Sequence, residues 1–391
     1  MKTTALASAD ERFMRRAIEL AEFAIGETNP NPPVGCVLVR NGRVVGEGFH
    51  ARAGEPHAEA IALARAGGRA KGATAYVTLE PCAPHSAKRT PPCAPRLIGA
   101  GVARVVFGVR DFNPEVRGKG VRLLRAAGIE VEESIGAAAA ARLTAHFNTA
   151  MRRQRPFVAL KAGMTLDGCT ATARGESKWI TSKAQRAAAR RLRRLFDGVI
   201  VGIDTVLQDD PLLLPEPRTQ RPHARVVLDS HLRLPLTSRL VKSARRHPVI
   251  VVGTDPPAEH RRRALESKGV TVVSVDGRGG RVSIAAALSA LFVRGIRSLL
   301  VEGGSEVLGS FVRERLFDEM VIFRAPLILG GRGSRPVVGG TNPAALADAA
   351  PMRRASLEDS ATLRYGLTDP GALEVEVYER RPDRRVRREK R

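Results

Sequence analysis

Three short stretches carry side chains whose types and spacing suit metal-assisted hydrolysis: His57-Ala58-Glu59, Pro81-Cys82 and Pro91-Pro92-Cys93. One imidazole and two thiolates fill three of the four tetrahedral positions of zinc and leave the fourth for water. Zinc brings the pKa of such a water toward neutrality. A carboxylate must then move protons, and Glu59, two residues from His57 at the start of the same expected helix, reaches that water without ligating the metal. An H-x-E pattern followed by P-C-x-x-C is the arrangement of zinc deaminases. The spacing here is wider, because Cys82 and Cys93 lie eleven positions apart and His85 stands where that pattern would place its second cysteine. Cys93 is the expected third ligand, since the diproline before it can start a helix whose N-terminus favours a thiolate. His85 stays open as the alternative ligand. Singly, each of these residues reads as an ordinary core or surface side chain; their order between strand and helix signals is what points to a metal.

The surrounding signals predict the elements that must hold them. Ser8 followed by Glu11 predicts a capping box opening a helix, which Phe13, Ala17, Ile18, Ala21 and Ile25 continue at helical spacing. Val34–Arg40 predicts a strand, Asn41-Gly42 a two-residue hairpin turn and Arg43–Phe49 the returning strand. A helix is expected from His57 through Leu63, a strand over Ala75–Leu79, a helix around Cys93–Ala100, a strand over Val102–Val109, and a helix over Arg117–Ala127 stopped by Gly128. Strands alternating with helices predict a layered α/β domain, expected over residues 1–147. The basic stretch Phe147–Pro156 predicts a boundary. A second α/β domain is expected over 157–380. Its strand candidates are Phe157–Leu160, Gly198–Val201, Arg225–Leu228, Val249–Val252, Val270–Val273, Ser298–Val301 and Met320–Phe323, with helices at Ser182–Arg194, Ala258–Lys268 and Ile284–Arg294. The last apolar run before residue 302 enters Glu302-Gly303-Gly304-Ser305 and a further helical stretch. Such a turn either holds a phosphate on its backbone N–H groups or simply joins strand to helix. The GRGG of Gly277–Gly280 reads as a loop.

Composition narrows the class. The 391 residues are 43% hydrophobic, enough for real cores, and carry a formal net charge of +24. No stretch approaches the roughly 20 apolar residues of a membrane helix, and no apolar signal segment opens the chain, so a cytoplasmic protein is expected. The arginines are scattered and aromatic residues are 4%, which argues against a nucleic-acid partner and suits an anionic small substrate. The densest basic run is the tail, 381–391, expected to be disordered. Disulfides are not expected among the four cysteines. Cys36, inside VGCVLV, and Cys169 read as packed thiols.

The segment Pro30-Asn31-Pro32 with Val34-Gly35, then HAE, TLEPC and RTPPC, resembles the deaminase half of a bifunctional riboflavin-biosynthesis family. These are diaminohydroxyphosphoribosylaminopyrimidine deaminases fused to 5-amino-6-(5-phosphoribosylamino)uracil reductases. KAGMTLDG (Lys161–Gly168), GESKWIT (Gly175–Thr181), DTVLQDDP (Asp204–Pro211), VLDS (Val227–Ser230) and VEGGS (Val301–Ser305) are similar to the reductase half. The resemblance implies a cytidine-deaminase-like α/β/α domain followed by a dihydrofolate-reductase-like α/β domain, with zinc and NADPH as cofactors. It implies that His57, Cys82 and Cys93 hold zinc, that Glu59 shuttles protons, and that Asn31 faces the substrate. Gly163, Trp179, Thr205, Asp209, Ser230, Gly304 and Ser305 are then expected to face NADPH. Ser177, Arg193, Leu213 and Glu302 are expected to face a ribosyl-phosphate substrate.

Each of these residues also has a plainer reading. Asn31 is a turn residue between prolines, Trp179 a core side chain, and Arg193 one more arginine of RRLRRLF. Asp209 beside Asp210 is a cap or a proton carrier. Lys161 ends a strand or polarises an opened ribose. Two departures from the family stand out. EPCAPHSAKRTPPC is two residues longer than the usual EPCSHHGRTPPC and has Lys88 in place of its glycine. Leu214 and Glu216 stand where the family carries threonine and arginine, with Arg218 two positions on. The expected protein is a homo-oligomeric enzyme acting on a phosphorylated pyrimidine, with neither a nucleic-acid partner nor a membrane. The alternatives are a deaminase with a degenerate reductase half, a nucleic-acid deaminase guided by the basic tail, and a non-enzymatic protein without zinc.

Overall fold

The computed structural model describes residues 2–84, 90–219, 221–254, 258–341, 343–355 and 374–381, with side chains from residue 9 onward. His85, Lys88 and the tail from residue 382 lie outside the described residues. The chain divides into two compact units, residues 1–154 and 155–391.

The first unit runs α1 (Lys2–Glu22), β1 (Gly35–Arg40), β2 (Arg43–Phe49), α2 (Ala58–Ala66), β3 (Thr74–Leu79), α3 (Cys93–Gly99), β4 (Arg104–Val109), α4 (Lys119–Ala126), β5 (Glu130–Glu133), α5 (Ala137–Leu143) and α6 (Ala145–Arg153). Its sheet has the order β2-β1-β3-β4-β5. β1 pairs antiparallel with β2 and β3, and β3, β4 and β5 run parallel. The hairpin turns on Asn41 and Gly42, both at positive φ, as a tight primed turn requires. Alternation along β1 separates two cores. Cys36 and Leu38 face Ala58, Ala62 and Leu97, whereas Val37 and Val39 face Phe13, Met14 and Ala17 of α1. Helices therefore cover both faces. At Gly35 a Cβ would fall 1.9 Å from the Ala17 carbonyl oxygen, so α1 can lie this close only against glycine.

One expectation is corrected here. Helix α1 begins at Lys2, so Ser8 lies inside it and does not open it; TTALASA holds good helix formers and nothing that stops a helix. Within Phe147–Pro156, α6 continues to Arg153. Arg152 and Arg153 sit in its last turn, where cations suit the helix dipole, and Gln154 ends it at positive φ.

The second unit runs β6 (Phe157–Met164), β7 (Cys169–Ala171), α7 (Lys183–Leu192), β8 (Gly198–Gly202), α8 (Ile203–Asp209), β9 (Ala224–Leu228), α9 (Arg239–Lys242), β10 (Val249–Thr254), α10 (Glu259–Glu266) and β11 (Thr271–Val275). There follow β12 (Gly277–Arg278), β13 (Arg281–Val282), α11 (Ile284–Val293), β14 (Ser298–Val301), α12 (Ser305–Arg313), β15 (Glu319–Arg324), β16 (Arg335–Pro336), β17 (Met352–Arg354) and β18 (Val375–Arg380). Nine strands form one sheet in the order β11-β10-β9-β8-β14-β6-β15-β18-β17. It is parallel from β11 to β15, and its two last strands are antiparallel. The apolar runs of β8, β9, β10 and β14 are what strands buried on both faces require. Ser182 opens α7 with a capping box completed by Gln185.

Candidate active sites of the two units

The ends of three elements meet around His57. It is the residue before α2, Glu59 lies in the first turn of that helix, Cys82 follows β3, and Cys93 is the first residue of α3. His57 Nδ1 lies 3.4 Å from Cys93 Sγ and 3.6 Å from Cys82 Sγ, and the Cys93 N–H donates to Cys82 Sγ at 3.3 Å. The three ligand atoms lie within 4.8 Å of one another. A tetrahedral zinc with bonds of about 2.0 Å to nitrogen and about 2.3 Å to sulfur sets these atoms about 3.6 Å apart, so the cluster fits such an ion. His57 Nε2 faces the Thr90 hydroxyl at 3.2 Å, which leaves Nδ1 for the sulfurs. Glu59 is 3% exposed. Burial, reinforced by the neighbouring Cys82, pushes its carboxyl above the ordinary carboxylate value, as suits a group that takes and returns a proton.

The chain leading into Cys82 is pinned. Buried Glu80 accepts N–H bonds from Asp111 at 3.3 Å, Gly118 at 3.1 Å and Val121 at 3.5 Å, so a carboxylate sits at the start of α4. Gly120 lets that helix touch the Pro81 carbonyl, because a Cβ there would lie 1.9 Å from its oxygen.

A cavity of 480 Å³ opens beside this cluster, and Asn31, His50, Glu59, Thr90, Asp111 and Asn113 are on its wall. His50 Nδ1 lies 3.1 Å from the Pro56 carbonyl and its Nε2 3.4 Å from Asn31 Nδ2. A carbonyl only accepts, so Nδ1 carries the proton and Nε2 faces the Asn31 amide as acceptor. Sequence reasoning did not single out His50, Thr90, Asp111 or Asn113. A signal was present for two of them: Asp111 and Asn113 follow the carboxyl end of β4 directly, a position where ligand sites form in α/β sheets.

In the second unit the expected residues divide. Arg193, at the end of α7, grips Glu302 with Nε and Nη2 at 2.6 and 3.1 Å, and its Nη1 donates to the Leu214 carbonyl at 3.1 Å. Lys161 of β6 reaches the same carboxylate at 3.5 Å. Burial opposes the charge of Glu302, but the two cations outweigh it and hold the carboxyl at about 2. The Leu213 side chain is packed in a core with Val201 and Val227. Ser177 is exposed. Trp179 corrects its plainer reading, since it is 68% exposed, with the Arg186 guanidinium 4.2 Å from its ring centre. Asp209 ends α8 and pairs with Lys178 at 2.6 Å, tying the Trp179 loop to that helix.

The remaining residues gather at one edge of the sheet. Ser230, Gly202 with Thr205, Gly304, and Gly163 lie at or beyond the carboxyl ends of β9, β8, β14 and β6, which are consecutive neighbours. Nucleotides bind at such an edge in open parallel sheets. The Ser230 hydroxyl accepts the Val282 N–H at 3.1 Å, and the Ser305 hydroxyl donates to the Pro336 carbonyl at 2.6 Å. A cavity of 400 Å³ lies between Ser230, the Gly279-Gly280 turn and Glu306. Glu216 pairs with Arg190, and Arg218 lines a groove with Arg246.

A His-Cys-Cys cluster with a buried carboxylate in one unit, and a parallel sheet with a nucleotide-type edge in the other, define a deaminase joined to a reductase. Residues 7–109 match the cytidine and deoxycytidylate deaminase zinc-binding region, and residues 156–364 match the RibD C-terminal domain. The chain is 42% identical over 322 residues to the riboflavin biosynthesis protein RibD of Aquifex aeolicus, covering 82% of this chain and 88% of that protein. It is 40% identical over 336 residues to RibD of Escherichia coli strain K12, covering 82% and 89%. Among solved structures, Acinetobacter baumannii RibD matches with a TM-score of 0.80 at 36% identity over 96% of this chain and 98% of that one. The Thermotoga maritima diaminohydroxyphosphoribosylaminopyrimidine deaminase/5-amino-6-(5-phosphoribosylamino)uracil reductase matches with a TM-score of 0.78 at 35% identity over 96% and 99%. The chain belongs to the RibD family. It is a bifunctional enzyme of riboflavin biosynthesis, a zinc-dependent deaminase with a cytidine-deaminase-like fold joined to an NADPH-dependent reductase with a dihydrofolate-reductase-like fold. No helix among the described residues is long and apolar enough to cross a membrane.

Proposed function

We propose that His57, Cys82 and Cys93 hold the zinc and that Glu59 is the proton carrier of the deamination. When bound, zinc supplies a water made acidic enough to react near neutral pH. Glu59, buried beside the three ligands, would be the carboxylate that takes up a proton there and hands it to the departing amine. Thr90 fixes the tautomer of His57, and Asn31, backed by His50, orients the pyrimidine ring. The observation that carries this reading is the pair of Nδ1–Sγ distances, 3.4 and 3.6 Å.

In the reductase unit, Gly163, Trp179, Thr205, Asp209, Ser230, Gly304 and Ser305 are proposed to line the coenzyme, and Ser177, Arg193, Leu213 and Glu302 the ribosyl phosphate. NADPH supplies the hydride when bound. Leu213 takes part through its backbone, as its side chain is packed away. Glu302 and Leu214 leave Arg193 donors to spare for a phosphate. Lys161 is the cation placed to polarise an opened ribose.

The enzyme is proposed to work in the cytoplasm as a homo-oligomer on small molecules and not on nucleic acid. None of the four cysteines is in a disulfide, in keeping with a reducing compartment. Leu166, Leu327 and Ile328 are exposed next to one another, with the Leu166 N–H bonded to the Leu327 carbonyl; oligomer contacts cover apolar patches of this kind. The test of the zinc assignment is Cys93→Ala in the full chain. It is expected to lose stoichiometric zinc and ammonia release while still oxidising NADPH with the already deaminated substrate. Full zinc content in that variant would overturn the ligand set.

A further inference from the structure

A groove of 390 Å³ in the second unit belongs to neither site. Its walls come from the segment holding Leu214, Arg218 and Arg221 on one side and from residues 244–248 on the other. His223 and Pro248 immediately precede β9 and β10, whereas Ser230 follows β9. The groove therefore lies at the amino edge of the sheet, roughly 16 Å of strand away from the coenzyme edge. None of the residues proposed to line the coenzyme or the ribosyl phosphate is on its wall.

Its charge is one-sided. Arg218, Arg221, Arg245, Arg246, His223 and His247 line it, and among the described residues no carboxylate does. Arg221 is already paired with Asp197 at 3.4 Å, and Arg245 donates to the Ser267 carbonyl at 3.3 Å. The side chains of Arg218 and Arg246 have no hydrogen bond or ion pair among the described residues.

Two buried groups beneath the groove sharpen the imbalance. The Arg225 side chain is fully buried and meets only neutral acceptors: the Leu212 carbonyl at 3.2 Å, the Ser243 hydroxyl at 2.8 Å, and the carbonyls of Ser243 and His247. Its Nε has no hydrogen-bond partner among the described residues, and burial lowers its pKa to about 10. A buried cation without a counter-charge is costly, and an anion in the groove would supply one. His223, 4% exposed on the groove wall, bonds the Phe196 carbonyl at 3.3 Å through Nδ1 and has no hydrogen-bond partner at Nε2 among the described residues. Burial first, and then Arg225, Arg218 and Arg246, lower the pKa of His247 on the same wall.

A solvated basic face would spread its arginines and interleave acids. Here the cations converge on a concavity, where low-dielectric walls focus their field. We infer that this groove is an anion site for the phosphate group of a small molecule, held chiefly by Arg218 and Arg246. A single concavity suits one phosphate better than a polynucleotide strand, which needs an extended basic track with aromatic platforms.

The wall residue Leu214 also receives Arg193, so the groove shares a loop with the reductase site, and the test must keep that site filled. The zinc-loaded full chain, saturated with NADP⁺ and the ribityl product, is titrated calorimetrically with inorganic phosphate and with ribose 5-phosphate. One equivalent is expected to bind. Arg218→Ala/Arg246→Ala should weaken it by about tenfold or more, the loss expected for charge-assisted hydrogen bonds. Arg218→Lys/Arg246→Lys should keep part of it, and both turnover rates should stay at the wild-type level. Tighter ribose 5-phosphate would assign the site to a phosphomonoester and tighter inorganic phosphate to the free ion; either supports the site. No binding with the reductase cleft filled, equal affinity in the double alanine variant, or uptake of a single-stranded oligonucleotide but not of phosphate would each overturn it.

Discussion

Glu302 offers a quantitative test of the reductase centre. Its carboxyl, ordinarily near 4.5, is held at about 2 by Arg193 and Lys161 against the opposing effect of burial. A group whose folded pKa is depressed stabilises the fold above its unfolded pKa and loses that contribution as pH falls through the folded one. At about 1.4 kcal/mol per pH unit of displacement, the pair contributes up to about 3 kcal/mol above pH 4.5, all of it gone near pH 2. Breaking a buried pair from one side costs about 3–5 kcal/mol, because the partner cations stay buried without it. Glu302→Gln should therefore lower the urea stability of the second unit at pH 7 by about 3 kcal/mol. Trp179 is the only tryptophan and lies in that unit, so its fluorescence reports on the unit within the full chain. The gap between wild type and variant should narrow as pH falls from 4.5 toward 2. Equal stability at pH 7, or a gap that widens on acidification, would refute the reasoning.

Other expectations follow from the same geometry. Gly120→Ala drives a Cβ into the Pro81 carbonyl beside Cys82; it should cost about 1–3 kcal/mol and lower zinc occupancy, read by thermal unfolding with metal analysis. Asp10, bonded to Arg104 at two distances of 2.9 Å and to the Tyr76 hydroxyl at 2.7 Å, has its pKa lowered despite burial. Asp10→Asn should destabilise the first unit at neutral pH, with the difference fading below pH 3.8, as circular dichroism melts would show. Trp179→Ala removes a mostly exposed ring, so the melting temperature should hold while NADPH binding weakens about fivefold or more for loss of one aromatic contact, measured by coenzyme titration.

Chemistry-bearing residues were legible where the chemistry restricts residue type. Few side chains ligate zinc, so HAE with two spaced cysteines pointed to a metal before any fold was known. The central strands were legible because burial on both faces leaves uninterrupted apolar runs such as VVL in β9 and LLV in β14. The edge strand β17 and its neighbour β18 were not, since MRR and VEVYER are half polar or more and depend on neighbours for their pairing. Helix α6 was not legible, because its arginines hide the buried Asn148 and Ala150. Pairings distant in sequence left no local trace. Arg193 and Glu302 are 109 residues apart, and His50 gains its place only when the loop of Asn31 folds over the end of β2. Trp179 and Leu213 were singled out by resemblance alone, and the structure gives them opposite surroundings, one exposed and one in the core.

Two reactions at two separate centres are tested most directly by Glu59→Gln in the full chain, with ammonia release and NADPH oxidation measured separately on both substrates. The expected variant keeps its zinc, releases no ammonia from the diaminopyrimidinone, and still oxidises NADPH with the deaminated compound. Ammonia release at the wild-type rate, or loss of NADPH oxidation with the deaminated compound, would contradict it.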